Sequence, residues 1–399
     1  MRILFLSSRQ CWPARSGAKL RVYYFLRALA RHGEVTYLHF ADVGVPPLTR
    51  QDLPFCREVV PVPKPSAYHP WKLVQGAVGR WPLPILNYAS PEMSAAVSRL
   101  TRGAGYDLIN LDGIHMIRYA EGLSARIVYN WHNIESEAMQ RYSATVASPA
   151  RRWYAARTAA KLKLLEREIL ETAFGHVVCS QRECDQLHEI CPKARVGVIH
   201  NGVDVKYFEN AGTGAGQGRD LVFVGSMDYY PNAEAALSFS RRIWPLVRQR
   251  IPEARLLIVG ADPPPAVLAL GELPGVSVTG TVPDVRPYYR QALAAIVPLR
   301  TGGGTRLKIL EAMAAGVPVI STPLGAEGLA VTPGRDILIA GPDDAEAWAN
   351  QLQSLADASG DRRRALVAAA LDLARTHYDW EMIGQTLWDT YQDWLRSDR

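Results

Sequence analysis

Residues 294–322 read AAIVPLRTGGGTRLKILEAMAAGVPVIST. The run AAIVPL is apolar and has the length of a buried strand. Three glycines follow it, RLKILEAMAAG has helical spacing and stops at Gly316, and VPVIST opens another strand. Strand, loop, helix and strand of these lengths make a βαβ unit, the building block of a parallel doubly wound sheet. Gly302, Gly303 and Gly304 let the backbone take positive φ and approach a ligand closely. The N–H groups from Gly303 to Thr305, with the positive end of the helix dipole, suit a phosphate. Arg306 and Lys308 put two cations in the first turn, where the dipole alone favours acids; that placement implies an anion nearby. Glu311 returns to the face of the glycine loop about two turns on, where a carboxylate can accept from ribose hydroxyls. The alternative for the isolated segment is a tight turn followed by an exposed Arg–Lys–Glu face held by surface ion pairs.

The same alternation extends outward in both directions. In the second half, LVFVGS, ARLLIVG, VSVTGT and DILIA read as strands and NAEAALSFSRRIWPLVRQR as one helix. In the first half, RILFLSS and EVTYLHF flank the helix KLRVYYFLRALARHG, and YDLINLD, ARIVYNW and HVVCS read as further strands. Two successive Rossmann-like α/β domains follow: residues 1–209, a linker at 210–220, and residues 221–377. The aromatic-rich amphipathic tail, 378–399, is placed either as a cap on the second domain or back on the first. The linker NAGTGAGQGRD precedes a strand, whereas a dinucleotide fingerprint must follow one, so its glycines are read as a connection.

Bulk properties narrow the classes. A chain of 399 residues exceeds what one core usually holds, and its 48% hydrophobic and 21% charged residues are ordinary for a globular protein. The net charge of +6 is spread along the chain without interleaved aromatics, so no nucleic-acid partner is expected. MRILFLSS is too short for the core of a signal peptide, and no apolar stretch approaches a bilayer-spanning length. The five cysteines are scattered and odd in number, which fits reduced thiols and a cytoplasmic location. Cys179, Cys184, His188 and Cys191 lack a paired Cys-x-x-Cys knuckle, so no metal site is expected there. Arg151–Leu170 reads as a long basic helix containing Trp153 and Tyr154, closed by Glu166, Glu168 and Glu171. A solvated face is expected; the pattern is also compatible with peripheral contact at the inner face of the cytoplasmic membrane.

In the first domain, RIVYNWHNIES places His132 just past a strand end, where doubly wound sheets hold their ligands. In LDGIHM, His115 follows another strand end beside Asp112, and the two are candidates for the acceptor side. Gly17, in RSGAKLRV, stands at the start of the first helix, where an N-terminus can face a phosphate or sugar.

With VGSMDYYPNAEAA and VIHNGVDVKYF before it, GGGTRLKILEAMAAGVPVIST resembles the retaining GT-B glycosyltransferases of family four, and more narrowly bacterial sugar transferases associated with exopolysaccharide assembly. The resemblance runs from RSGAKLRVYYFLRALA through the second half. It implies two Rossmann-like domains facing across a cleft, a UDP- or GDP-sugar as donor, a glycan or lipid-linked acceptor, and no obligatory metal or other cofactor. It gives Glu311 the donor ribose and His132 the donor sugar or reacting centre. The family's glutamate eight residues before Glu311 falls on Gly303, so this chain lacks it. The arginine and lysine usual after the first strand of the second domain are replaced by Ser226 and Asn232, and Arg306 and Lys308 are expected to supply the phosphate cations instead. Two rival readings remain: a nucleotide-sugar epimerase of the same architecture, and a non-catalytic nucleotide-sugar-binding protein of the same assembly system.

Overall fold

Near-continuous apolar runs can be buried on both faces only inside a parallel sheet covered by helices, and the strands are arranged that way. In the computed structural model, which describes residues 1–14, 16–65, 69–103, 105–209, 218–302, 306–357 and 360–398, the chain forms two compact units. The first comprises Met1–His200 together with the chain from Ile383 onward, and the second comprises Asn201–Met382.

The first unit holds β1 (Arg2–Ser7), β2 (Glu34–Ala41), β3 (Glu58–Pro63), β4 (Leu108–Asp112), β5 (Arg126–Asn130), β6 (Gly175–Val178) and β7 (Val196–Val198). They pair in parallel in the order β3-β2-β1-β4-β5-β6-β7. Chain direction reverses its progress across the sheet between β1 and β4, the position at which such sheets bind ligands. The helix Gly17–Ala30 is capped by Ser16, whose side chain accepts from the Lys19 N–H, and it buries Val22, Phe25, Leu26 and Leu29 at helical spacing. Edge strands β3 and β7 were not among the expected strands. β3 contains Pro61 and Pro63, which an edge tolerates because one side of the strand needs no donors.

The second unit holds β8 (Asp220–Val224), β9 (Arg255–Val259), β10 (Val276–Val278), β11 (Ala292–Val297), β12 (Val319–Ser321) and β13 (Leu338–Ile339), parallel in the order β10-β9-β8-β11-β12-β13. Phe223, Ile258, Ile296, Met313 and Trp348 are among its fully buried side chains. The segment expected as a single helix over 232–250 is two, Tyr230–Arg242 and Trp244–Arg250. Pro245 has no N–H to continue the first helix and instead sits in the first turn of the second.

The chain passes between units at His200/Asn201, ahead of the expected 210–220 linker, of which residues 210–217 lie outside the described residues. The terminal helix Trp380–Ser397 belongs from Ile383 onward to the first unit. Its Trp394 lies on the backbone of β6 and β7: a Cβ built on Gly175 would come within 2.4 Å of the ring, and one on Gly197 within 3.3 Å. Trp388 stacks on His32 at 4.3 Å, and the fully buried Tyr391 hydroxyl accepts from Asn110 Nδ2 in β4. Tyr391→Phe should therefore strand a buried amide donor and lower stability by about 1–3 kcal/mol. Urea unfolding of the pair of proteins checks this, and an unchanged midpoint would show that the helix is fastened by its rings alone.

Candidate active site

Strand register builds the first cluster. Ser7 pairs with Asp112, and Asp112 with Asn130, so the last residues of β1, β4 and β5 form a row at the carboxyl ends of the central strands. All three are buried. Ser7 Oγ donates to Asp112 Oδ2 at 2.8 Å, and Asn130 Nδ2 donates to Oδ1 at 2.8 Å. His132, two residues past β5, brings Nε2 to 2.7 Å from the same Oδ1. Burial by itself would raise the Asp112 carboxyl. The charge and hydrogen bond of His132, the nearby Arg9 and the Ser7 hydroxyl outweigh it and hold the group below the usual carboxylate range. Asp112 is thus a buried carboxylate that orients His132 through Nε2 and leaves Nδ1 as the other polar atom of the ring.

Behind this row lies Arg21, fully buried on the helix Gly17–Ala30. Its Nε donates to Asn130 Oδ1 at 2.8 Å and its Nη1 to the Ile199 carbonyl at 2.6 Å, which fixes the Asn130 amide with its NH2 toward Asp112. His115 sits beside Tyr88, ring centroids 5.0 Å apart, and Lys64 Nζ lies 5.3 Å over that tyrosine. Burial, then the Arg9 charge, pushes the His115 imidazole down to about 4, so it is neutral at ordinary pH.

The second cluster stands at the carboxyl end of β8, next to β11, where the second sheet has its own switch point. Gly225 follows β8 directly. A Cβ there would lie 2.7 Å from Asn232 Nδ2 and 2.8 Å from Lys308 Nζ, so a side chain at this position would displace one of the two groups. Asn232 Nδ2 donates to the Ser226 carbonyl at 2.7 Å, and Lys308 Nζ donates to Asn232 Oδ1 at 2.7 Å while lying 4.7 Å over the Phe223 ring. Ser226 Oγ donates to Asp228 at 2.6 Å. Arg306, buried, is the N-cap residue of the helix Leu307–Ala314, and Lys308 and Glu311 lie one turn apart on that helix. Burial, reinforced by the Arg306 charge, pushes the Lys308 amine down to about 7; burial, opposed by Lys308, pushes the Glu311 carboxyl up to about 7. Gly302 has φ 103° and packs on Pro231, a conformation that suits glycine. These groups make a partly buried, cation-bearing end to a parallel strand, suited to an anion.

The comparisons with known proteins agree with this architecture. Residues 15–207 match the sequence family described as Glycosyltransferase Family 4, and residues 218–358 the one described as Glycosyl transferases group 1. The chain is a group 1/family 4 glycosyltransferase of GT-B fold. Among curated relatives, a D-inositol 3-phosphate glycosyltransferase of Corynebacterium urealyticum is 26% identical over 257 residues, covering 58% of this chain and 59% of the relative. A GDP-mannose:cellobiosyl-diphosphopolyprenol alpha-mannosyltransferase of Xanthomonas oryzae is 28% identical over 242 residues, covering 57% and 60%. The matches thus span about three fifths of those relatives' length. Sucrose-phosphate synthase from Thermosynechococcus elongatus superposes with a TM-score of 0.72 at 22% identity over 100% of both chains. Anabaena HepE in complex with UDP and glucose superposes with 0.64 at 17% identity, over 98% of this chain and 100% of that one.

For this GT-B chain, the structure brings Asp112 and His132 together and places His115 near them, within the first unit. Gly17 is the first residue of its helix, beside the Ser16 cap. Lys308 meets Gly225 and Asn232 at the end of β8, Ser226 follows Gly225 directly, and Gly302 packs on Pro231. Arg306 and Glu311 interact electrostatically with Lys308, whereas Gly303, Gly304 and Thr305 lie outside the described residues. Among the described residues no group of three or more His, Cys, Asp or Glu is placed to hold a metal; Cys184 and His188 simply face each other across one helical turn at 3.6 Å. Sequence reading missed Arg21, Asn130 and the bridging role of Asn232. Arg21 did carry a signal: a cation at i−4 from Phe25, on the stripe of the helix that is otherwise apolar.

Since the folded chain holds the Asp112 carboxyl below its usual range, the stability it contributes is present above that range and is lost as pH falls through its folded value. Asp112→Asn should be less stable than the parent by about 1–3 kcal/mol at neutral pH. The gap should close on acidification. Urea unfolding at both pH values tests this, and a pH-independent gap would mean that packing, not charge, is what Asp112 provides.

Proposed function

We propose that this chain transfers a hexose from a UDP- or GDP-sugar to a glycan or lipid-linked acceptor, with retention of anomeric configuration and without a metal, in the assembly of a bacterial surface polysaccharide at the cytoplasmic face of the membrane. The observation that carries the reading is Lys308 Nζ, held by Asn232 at the glycine-lined end of β8 beside the buried Arg306. A diphosphate there would meet two cations in a partly desolvated setting, where their attraction is worth more than in water. HepE, solved with UDP and glucose, and the Xanthomonas relative, named for a nucleotide-sugar donor and a diphosphopolyprenol acceptor, support the same substrate classes.

In this mechanism the sugar–phosphate bond breaks as negative charge grows on the departing diphosphate. Arg306 and Lys308 stabilise that charge. Glu311 holds the ribose hydroxyls. His132, aligned by Asp112, faces the sugar, where a ring nitrogen stabilises developing positive charge at the reacting carbon. The acceptor hydroxyl attacks from the side the diphosphate leaves and passes its proton to the leaving phosphate, which preserves configuration. Gly303 stands where the family has a glutamate for the sugar hydroxyls, so other groups select the sugar.

A thermal-shift panel of UDP, GDP and their sugars tests the donor assignment. A bound nucleotide at 100 times its dissociation constant should add about 2.7 kcal/mol of apparent stability, in the presence of EDTA as in its absence. His132→Ala should retain that shift and lose transfer by at least about a hundredfold. The donor incubated alone should yield no epimer. Absence of any nucleotide shift would sink the proposal, and an epimerised donor would replace it.

Lys308 adds a pH signature. Free, its amine titrates at about 7, so affinity for the intact diphosphate sugar should fall as pH rises from 6 to 9 and the charge is lost. The loss should be roughly 10–100-fold, the worth of a charge-assisted hydrogen bond. Lys308→Arg should flatten the profile by keeping its charge. Isothermal titration across the range measures it, and an equally steep profile in the arginine variant would remove Lys308 from the donor site.

A further inference from the structure

The helix Pro70–Val78 (PWKLVQGAV) is built inside out. Trp71, Val74 and Val78, at i, i+3 and i+7, form one stripe, and in a water-soluble helix that stripe faces the core. Here it faces outward: Trp71 is 61% exposed, Val74 50% and Val78 74%, with Leu73 also exposed, while the buried position is Gly76.

The orientation is enforced from below. The long helix Pro149–Thr172 lies against the Gly76 side, where a Cβ would come 2.5 Å from the Tyr154 hydroxyl. Tyr154 donates to the Leu73 carbonyl at 3.2 Å and Arg157 Nε to the Ala77 carbonyl at 2.6 Å. Lys161 Nζ reaches the carbonyls of Gly76, Ala77 and Gly79 at 2.6–2.8 Å. These bonds satisfy the C-terminal carbonyls of the short helix and pin it with its apolar stripe outward. The long helix continues the patch with exposed Trp153 and Leu164, on the same stripe as Arg157.

Charge selects what covers this patch. From Pro149 to Leu165 the long helix has Arg151, Arg152, Arg157, Lys161 and Lys163 and no acid, and the short helix has Lys72 and no acid. The acids that follow are neutralised or hidden: Glu166 is buried against Ser136, Glu168 pairs with Arg80 and Glu171 with Arg167. A second copy of the chain docked through this patch would set like charges against each other, because a two-fold interface is self-complementary. Tryptophan and aliphatic side chains ringed by cations match the boundary of an anionic bilayer, where apolar groups enter the acyl region and cations meet phosphates.

We propose that the paired helices Pro70–Val78 and Pro149–Thr172 form the surface by which this protein docks on an anionic lipid bilayer. The inference deepens the lipid-linked-acceptor reading above by assigning the face that meets the membrane. Among the described residues no helix is long and apolar enough to cross a bilayer, so the contact is interfacial.

Co-sedimentation of the full chain with vesicles of phosphatidylcholine, alone or containing roughly 30 mol% phosphatidylglycerol, tests it. Binding should occur to the anionic vesicles, exceed that to neutral ones, and weaken several-fold when salt is raised from about 0.1 to 0.5 M. The variant Trp71→Ser/Val74→Ser/Val78→Ser should lose at least about tenfold in partitioning while keeping its thermal melt and its nucleotide shift. Arg151→Gln/Arg152→Gln should lose mainly the salt-sensitive part. No binding of the parent to anionic vesicles, or undiminished binding of the triple variant, overturns the proposal. So does a parent dimer that the triple variant breaks, because a second copy is then the occupant. Failed vesicle binding with an intact nucleotide shift leaves the transferase reading standing; a missing nucleotide shift with vesicle binding removes that reading alone.

Discussion

A carboxylate without water is the constraint around which the first unit is arranged. Removing an ion from solvent costs several kcal/mol unless partners replace the lost hydration. Asp112, at the end of a central strand, has no water-facing route to such partners, so neighbouring strand ends provide them: Ser7 from β1, Asn130 from β5 and His132 just beyond. Asn130 can serve only if its amide is turned the right way, and Arg21 turns it from beneath the helix Gly17–Ala30. Arg21 Nη1 in turn donates to carbonyls at the end of the unit, Ile199 and His200. One buried charge thus fixes a line of polar groups across the sheet, and the orientation of His132 is its outermost consequence.

The second unit poses the inverse problem. Lys308 is a cation whose burial works against its proton, held by one amide and the face of Phe223 and set one turn from a carboxyl that burial likewise disfavours. Such a pair sits near the pH at which either group changes charge, and an incoming diphosphate would settle the matter by favouring the ammonium. The resemblance to family members expects a cation on the helix after β8, at the position of Asn232. The folded chain delivers one to the same spot from a different helix, since Lys308 Nζ donates to Asn232 itself. On the proposed donor reading, a substitution that reads as a loss in one dimension is a relocation in three.

Both clusters lie at carboxyl ends of parallel strands, beside a switch in strand order, and both depend on side chains with almost no freedom. The docking surface argued above follows a different rule. There the short helix contributes little more than glycine and backbone carbonyls to its supporting contacts, and its large side chains are left outside. Exposing them to water costs free energy that a covering surface of the proposed kind would recover.

Much of the architecture was legible from local pattern, because buried parallel strands, amphipathic helices and glycine stops write their periods directly into the residues. RILFLSS, LVFVGS and AAIVPL announced their strands, and RLKILEAMAAG announced a helix with a glycine stop. The pattern could not reveal the edge strand that carries Pro61 and Pro63, nor the helix break at Pro245 inside an otherwise periodic run. It also hid the partnerships of Asp112 with Asn130, Arg21 with Ile199 and Lys308 with Asn232, which join residues 18, 178 and 76 positions apart. The sequence by itself determined the two α/β units and the residue types available for chemistry, since periodicity and glycine placement are local properties. Which charge meets which partner, and which apolar stripe is denied a core, was decided only by tertiary structure, because desolvation and hydrogen-bond geometry exist only once distant segments share a position in space.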